Sequence, residues 1–152
     1  MDLTVIIVSY RGWDKLKLCL ESLEKFSSKS FSMEVIVVDN NSCDSNLETL
    51  EKRFSSFRFI RNPVNGGYAN GCNLGFSFSE GKHILILNPD TVVSEEAIGE
   101  LLERSERNPE FSVVSCRQVR SDGRETKPCG IFPGLFAKRQ IKTVCLVKFG
   151  SQ

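Results

Sequence analysis

The sequence predicts an α/β fold built on a mainly parallel sheet, and three observations predict it. Short apolar runs without polar alternation recur at residues 3–8 (LTVIIV), 35–38 (VIVV) and 84–87 (ILIL). They are too short for a helix core and read as strands buried on both faces. Stretches with helical spacing separate them, the alternation that calls for right-handed crossovers. Each run also stops abruptly in polar residues: Ser9-Tyr10-Arg11, Asp39-Asn40-Asn41-Ser42 and Asn88-Pro89-Asp90. In an open α/β sheet, ligands bind at the carboxyl ends of the strands.

Taken in order, the first strand is broken by Gly12. Trp13, Leu16, Leu20, Leu23 and Phe26 then recur at helical spacing, with charged residues between them. Trp13 reads as a core anchor. Glu34 opens the second strand. A helix is expected over 44–54, then a short strand over 57–60 ended by the Asn62-Pro63 turn. The stretch NGGYANGCNLG, residues 65–75, holds four glycines. In an ordinary helix each would cost ~1 kcal/mol relative to alanine. They make sense where backbone passes close to something, or where a helix packs tightly at its start. Helical character continues through Phe76 and Phe78 to Gly81.

The strand at 84–87 ends at Pro89, which removes a backbone donor. Asp90 by itself reads as a turn residue beside a proline; the matching ends of the other strands make it a candidate ligand. Ser94 caps the next helix, Glu95 and Glu96 sit in its first turn, and Asn108-Pro109 ends it. Residues 111–119 read as a fifth strand and Ser121-Asp122-Gly123 as a hairpin turn. Residues 127–152 are expected to be an irregular tail without a partner element.

The chain has 152 residues, the size of a single domain. Lys and Arg number 20 against 19 Asp and Glu, so charge implies no polyelectrolyte partner and no nucleic acid is expected. Six scattered cysteines without a C-x-x-C pair fit reduced thiols better than disulfides or a zinc site. His83 is the sole histidine, which weakens any imidazole mechanism. No basic leader precedes the first strand and no apolar run approaches ~18 residues, so neither secretion nor a membrane span is expected. The expected location is cytoplasmic, free or peripheral at the inner face of the membrane.

If the strand order reverses between the first strand and that at 84–87, the three polar ends line one crevice. A carboxylate after the second strand suits hydrogen bonds to a ribose or base. A second one nearby suits Mg²⁺ or Mn²⁺ sharing a diphosphate. Four motifs in this order, VIIVSYRG, VIVVDNNSCD, NGGYANGCNLG and ILILNPDT, resemble family-two glycosyltransferases of the GT-A fold, closest to rhamnosyltransferase-like members. That fold is a Rossmann-like three-layer α/β/α sandwich with a mainly parallel sheet. The resemblance spans residues 3–133, and four motifs in register are specific where one would not be.

The resemblance implies that Ser9, Tyr10 and Asp39 contact the nucleotide, with Arg11 and Asn41 in the same substrate-binding set. The Gly66-Gly67 turn and Asn73 would shape the nucleotide-sugar pocket. Asn88-Pro89-Asp90 stands where the family has its metal-binding D-x-D. With Asn88 in place of the first acid, Asn88 is a substrate-binding residue and Asp90 the principal ligand for Mg²⁺ or Mn²⁺. The implied reaction is inverting, metal-assisted transfer from a dTDP- or UDP-sugar to a hydroxyl of a glycan or lipid-linked acceptor. Such enzymes place the acceptor site and a general-base carboxylate in a second half. No acidic residue follows Glu125, so no catalytic base is assigned and the chain is expected to be a truncated donor half. Self-association is expected through apolar surface near Phe132, Leu135, Phe136 and residues 144–147. The alternatives are an inactive nucleotide-sugar-binding fragment and a sugar nucleotidyltransferase, for which SYRGWDK is a poor phosphate loop.

Overall fold

A computed structural model describes residues 1–27, 30–116, 118–119, 122–126 and 145–148. The main sheet has six strands. From one edge to the other they are β3 (Arg58–Arg61), β2 (Met33–Asp39), β1 (Leu3–Ser9), β4 (His83–Leu87), β8 (Cys145–Lys148) and β5 (Val113–Ser115). The first four run parallel to one another, whereas β8 is antiparallel to both β4 and β5. The mainly parallel α/β architecture is therefore present. The order reverses between β1 and β4, the condition under which the three polar strand ends line one crevice.

Apolar residues at alternate positions of the central strands feed two cores. On one face Leu3, Val5, Ile7, Val35, Val37, Leu85 and Leu87 meet three helices: α1 (Trp13–Glu24), α2 (Asn46–Arg53) and α4 (Glu95–Arg107). Leu16, Cys19, Leu20 and Leu23 of α1 are all within 1% of full burial, the spacing of a single helix face. Ser94 caps α4, its hydroxyl accepting the Ala97 N–H at 3.3 Å. On the other face Ile6, Val8, Ile36, Val38 and Ile84 meet α3 (Tyr68–Ser77), the one helix packed there among the described residues.

Helix α3 explains two of the four glycines in its stretch. Gly71 and Gly75 are buried one turn apart against β1. A Cβ would stand 2.6 Å from Val8 Cγ1 at Gly71 and 2.6 Å from Ile6 Cγ2 at Gly75. The glycines let the helix axis approach the sheet and deliver its first turn to the carboxyl end of β1.

Four expectations are corrected. Residues 111–119 do not form one strand: β5 stops at Ser115, and β6 (Gln118–Val119) pairs antiparallel with β7 (Glu125–Thr126) in a separate small sheet. Gly123, at φ +79°, lies in the turn between them, and its left-handed backbone is what a hairpin turn demands. Helix α3 stops at Ser77, where the Phe78 N–H closes on the Gly75 and Phe76 carbonyls, short of the helical character expected to Gly81. The stretch expected to be an irregular tail contributes β8, inserted between β4 and β5. Residues 145–147, expected to be exposed for self-association, therefore carry backbone paired on both sides. Phe132, Leu135, Phe136 and Val144 lie outside the described residues. Trp13 is partly buried against the core, and its indole N–H reaches a polar partner described below.

Candidate functional site

The parallel registers set Ser9 beside Asp39 and Ile7 beside Leu87. The ends of β2, β1 and β4 thus lie side by side, with Asn88 next in line. The first turn of α3 stands over them. Ser9 is 1% exposed; its Oγ has no partner among the described residues, while its carbonyl accepts the Asn40 N–H at 2.8 Å. Asp39 is 6% exposed and is held by the Ser42 hydroxyl and the Ser42 N–H at 3.3 Å.

The loops that leave β1 and β2 carry the three non-glycine residues with positive φ among those described: Arg11 (53°), Asn41 (64°) and Cys43 (55°). Such backbone costs roughly 1–3 kcal/mol at each position and persists where the surroundings over-determine it, commonly at ligand sites. Here the surroundings are specific bonds. The Arg11 N–H reaches Ser42 Oγ at 3.1 Å, the Cys43 thiol reaches Asn41 Oδ1 at 2.9 Å, and Trp13 Nε1 donates to Asp44 Oδ2 at 2.7 Å. Partial desolvation raises the Asp44 carboxyl, but the bonds from Trp13 and the Asn46 N–H hold it below the usual carboxylate range. Tyr10 and Arg11 are exposed, with the guanidinium 5.2 Å from the Tyr10 ring centroid.

Sequence reasoning missed a chain of four asparagine amides. Asn40 Nδ2 donates to Asn65 Oδ1 at 2.7 Å. Asn62 Nδ2 donates to Asn40 Oδ1 and to Asn70 Oδ1, each at 2.8 Å. The Asn62 N–H closes on the Asp39 carbonyl at 2.8 Å. These bonds fasten the loop between β3 and α3, which carries Gly66 and Gly67, to the end of β2. Asn62-Pro63 and Asn65-Gly66 look like ordinary turn punctuation, so the only available signal was the number of asparagines in two loops.

Gly66 and Gly67 are constrained differently. A Cβ on Gly66 would stand 2.6 Å from Asn70 Cγ, whereas Gly67 has open space but φ +84° and ψ 175°. Asn88 follows β4, and Tyr68 of α3 donates its hydroxyl to Asn88 Oδ1 at 3.0 Å. Asp90 is exposed and close enough to act on α1: burial pushes the Cys19 thiol up to about 12, and the Asp90 carboxylate adds to the rise. Asn73, on the exposed side of α3, has no hydrogen bond to the other site residues among those described.

No group of three His, Cys, Asp or Glu side chains able to hold a metal occurs among the described residues. Asp90 supplies one carboxylate, with Asn88 two residues before it. That donor set fits a hard divalent cation only if substrate oxygens and water complete its shell, which is how Mg²⁺ is commonly bound beside phosphates.

A family model described as "Glycosyl transferase family 2" matches residues 4–150. An uncharacterized glycosyltransferase of Haemophilus influenzae is 32% identical over 113 residues, covering 74% of this chain and 37% of that protein. Among solved structures, S. aureus TarS 1–349 in complex with UDP-GlcNAc superposes with a TM-score of 0.70 at 23% identity, covering 90% of this chain and 38% of that one. The mannosyltransferase PcManGT from Pyrobaculum calidifontis, in complex with GDP-Man and Mn²⁺, gives 0.67 at 19% identity, over 78% and 35%. At these identities the structures bear on the fold, which is GT-A. The chain spans well under half the length of each of these proteins.

Proposed function

The chain belongs to glycosyl transferase family 2, and from that premise we propose that it binds a nucleoside-diphosphate sugar across the ends of β1, β2 and β4. The bound donor serves inverting transfer of its sugar to an acceptor hydroxyl. The observation that carries this reading is the reversal of strand order between β1 and β4. It brings a buried carboxylate (Asp39), a buried hydroxyl without a partner among the described residues (Ser9 Oγ) and an exposed carboxylate (Asp90) to one crevice.

The roles follow from the surroundings. Asp39 is acceptor-only when ionised, and Ser42 holds it in place, so it orients a ribose hydroxyl or a base N–H. The first turn of α3 aims backbone N–H groups at the same crevice, a favourable place for phosphate. Asp90, beside Asn88, would hold Mg²⁺ or Mn²⁺ together with the diphosphate; when bound, the ion supplies neutralisation of charge on the leaving group. In the inverting reaction the acceptor hydroxyl, deprotonated by a carboxylate, attacks the anomeric carbon as the C–O bond to the diphosphate breaks. None of the residues placed in this crevice is assigned as that base.

Calorimetry with UDP and dTDP, in Mn²⁺ and in chelator, tests the donor site. Binding strengthened by Mn²⁺ is expected, with that gain removed by Asp90→Ala. A wild-type chain that binds neither nucleotide, or whose affinity ignores both Mn²⁺ and Asp90→Ala, refutes the assignment. Acceptor-dependent release of nucleoside diphosphate from a donor panel separates turnover from binding alone.

A further inference from the structure

We propose that Tyr68 is a positioning residue that holds Asn88 as a hydrogen-bond donor toward the diphosphate of the nucleotide-sugar. A neutral amide then takes over part of the charge neutralisation at the end of β4. The inference rests on the donor-binding reading above and concerns how that site treats its anion.

Tyr68 is the first residue of α3 and Asn88 the first after β4, so the 3.0 Å bond between them joins a helix start to a strand end across the crevice. The bond commits the amide oxygen. An asparagine amide is planar, with its two N–H donors on the opposite limb from the oxygen. Asn88 Nδ2 has no partner among the described residues. The backbone beneath it is also tied, since the Asn88 carbonyl accepts the Thr91 N–H at 3.1 Å and the Cys19 thiol at 3.8 Å. With the main chain and Oδ1 both held, Nδ2 is presented in a fixed orientation.

Two consequences follow from elementary electrostatics. An oxygen that already accepts a hydroxyl proton is a poorer ligand for a hard cation, which must compete with the positive end of the O–H dipole. An N–H facing a diphosphate oxygen makes a charge-assisted bond, stronger than a neutral one. Asn88 thus works on the anion directly and leaves the cation to Asp90. Tyr68 is half exposed, at 46%, and its side chain also bonds to that of Cys72 one turn along α3.

The test is calorimetry of the full chain with UDP and dTDP, using UMP and dTMP as monophosphate controls, in EDTA and in Mn²⁺. Wild type should retain measurable diphosphate binding in EDTA. Tyr68→Phe should weaken that binding by roughly three- to tenfold, on the scale of one hydrogen bond, with monophosphate affinity and the thermal midpoint unchanged. Asn88→Asp should lose diphosphate binding in EDTA and recover it in Mn²⁺, because a second carboxylate repels the phosphate but ligates the ion. Tyr68→Phe equal to wild type in EDTA overturns the proposal. So does an equal loss for mono- and diphosphates, or Asn88→Asp binding in EDTA like wild type. A wild type that binds diphosphate only with metal also overturns it, yet leaves the donor-binding reading standing. A wild type that binds no nucleotide under either condition removes that reading as well.

Discussion

Burying a carboxylate is costly unless hydrogen bonds replace its water, and at Asp39 two of those bonds come from a single residue, Ser42. An ionised carboxylate offers about four acceptor positions, so capacity remains for a hydroxyl or N–H of a bound nucleoside. Asp39→Ala should therefore weaken nucleoside diphosphate binding by ~1–3 kcal/mol, the scale of a lost bond to a charged group. Unchanged affinity by calorimetry in a folded variant would remove Asp39 from the site. The neighbouring glycines divide two causes that the sequence leaves joined. Gly66 needs room, because a methyl group would press on Asn70. Gly67 needs an angle: at φ +84° and ψ 175° its backbone lies in a region that is essentially glycine-only, costing other residues of order 1–3 kcal/mol. Gly67→Val should abolish donor binding while a cooperative thermal transition persists. Gly67→Asn should not rescue it, since asparagine tolerates the left-handed helical region and not this one. Normal binding by either variant would reduce the turn to surface loop. The spacing NGG marks both residues in the sequence, but which constraint acts where depends on the position of Asn70 and on ψ.

Elements carry a different kind of information, because their contacts link parts of the chain that sequence pattern treats separately. Strand and helix existence was legible wherever periodicity was strong: β1, β2, β4, α1 and α4 fall where apolar spacing puts them. The tight seat of α3 was legible too, since glycine recurring in a helical stretch is destabilising unless the backbone there must pack closely. The amide chain was not. Asn40 and Asn65 are 25 residues apart and Asn40 and Asn62 are 22 apart, and nothing local distinguishes them from turn asparagines. Their energetic role is open to measurement. Asn62→Ala removes one donor group and leaves the oxygens of Asn40 and Asn70 without it. Asn62 is 7% exposed and Asn40 4%, so water cannot readily replace the bond between them. The expected loss is about 1–3 kcal/mol of stability, read from urea unfolding. Nucleotide affinity should fall as well, because the loop bearing Gly66 and Gly67 is released from the end of β2. A variant as stable as wild type would show that the amide chain is solvated and does not hold the loop.

For the whole molecule, the crevice was foreseeable and the outer part of the sheet was not. Polar ends on three buried strands line one crevice if the order reverses beside β1, and a reversal there leaves few topologies. Strand β8 obeys no such rule. It is four residues long, and its partners β4 and β5 lie far from it in sequence. Only closure of the folded chain reveals the pairing. Its position has a mechanical consequence, because among the described residues β5 pairs with no other strand of the main sheet. Ending the chain after Val144 would deprive β5 of its hydrogen-bond partner and expose the edge of β4, the strand that presents Asn88 and Asp90. An open edge beside buried apolar strands is a template for pairing with another chain. Such a truncated chain should melt at lower temperature and self-associate, as seen by light scattering after size exclusion. Its loss of nucleotide binding should follow loss of the fold and not precede it. A truncated chain that stays monomeric with an unchanged melting point would show that β8 contributes nothing to closing the sheet, and that β4 is stable as an edge.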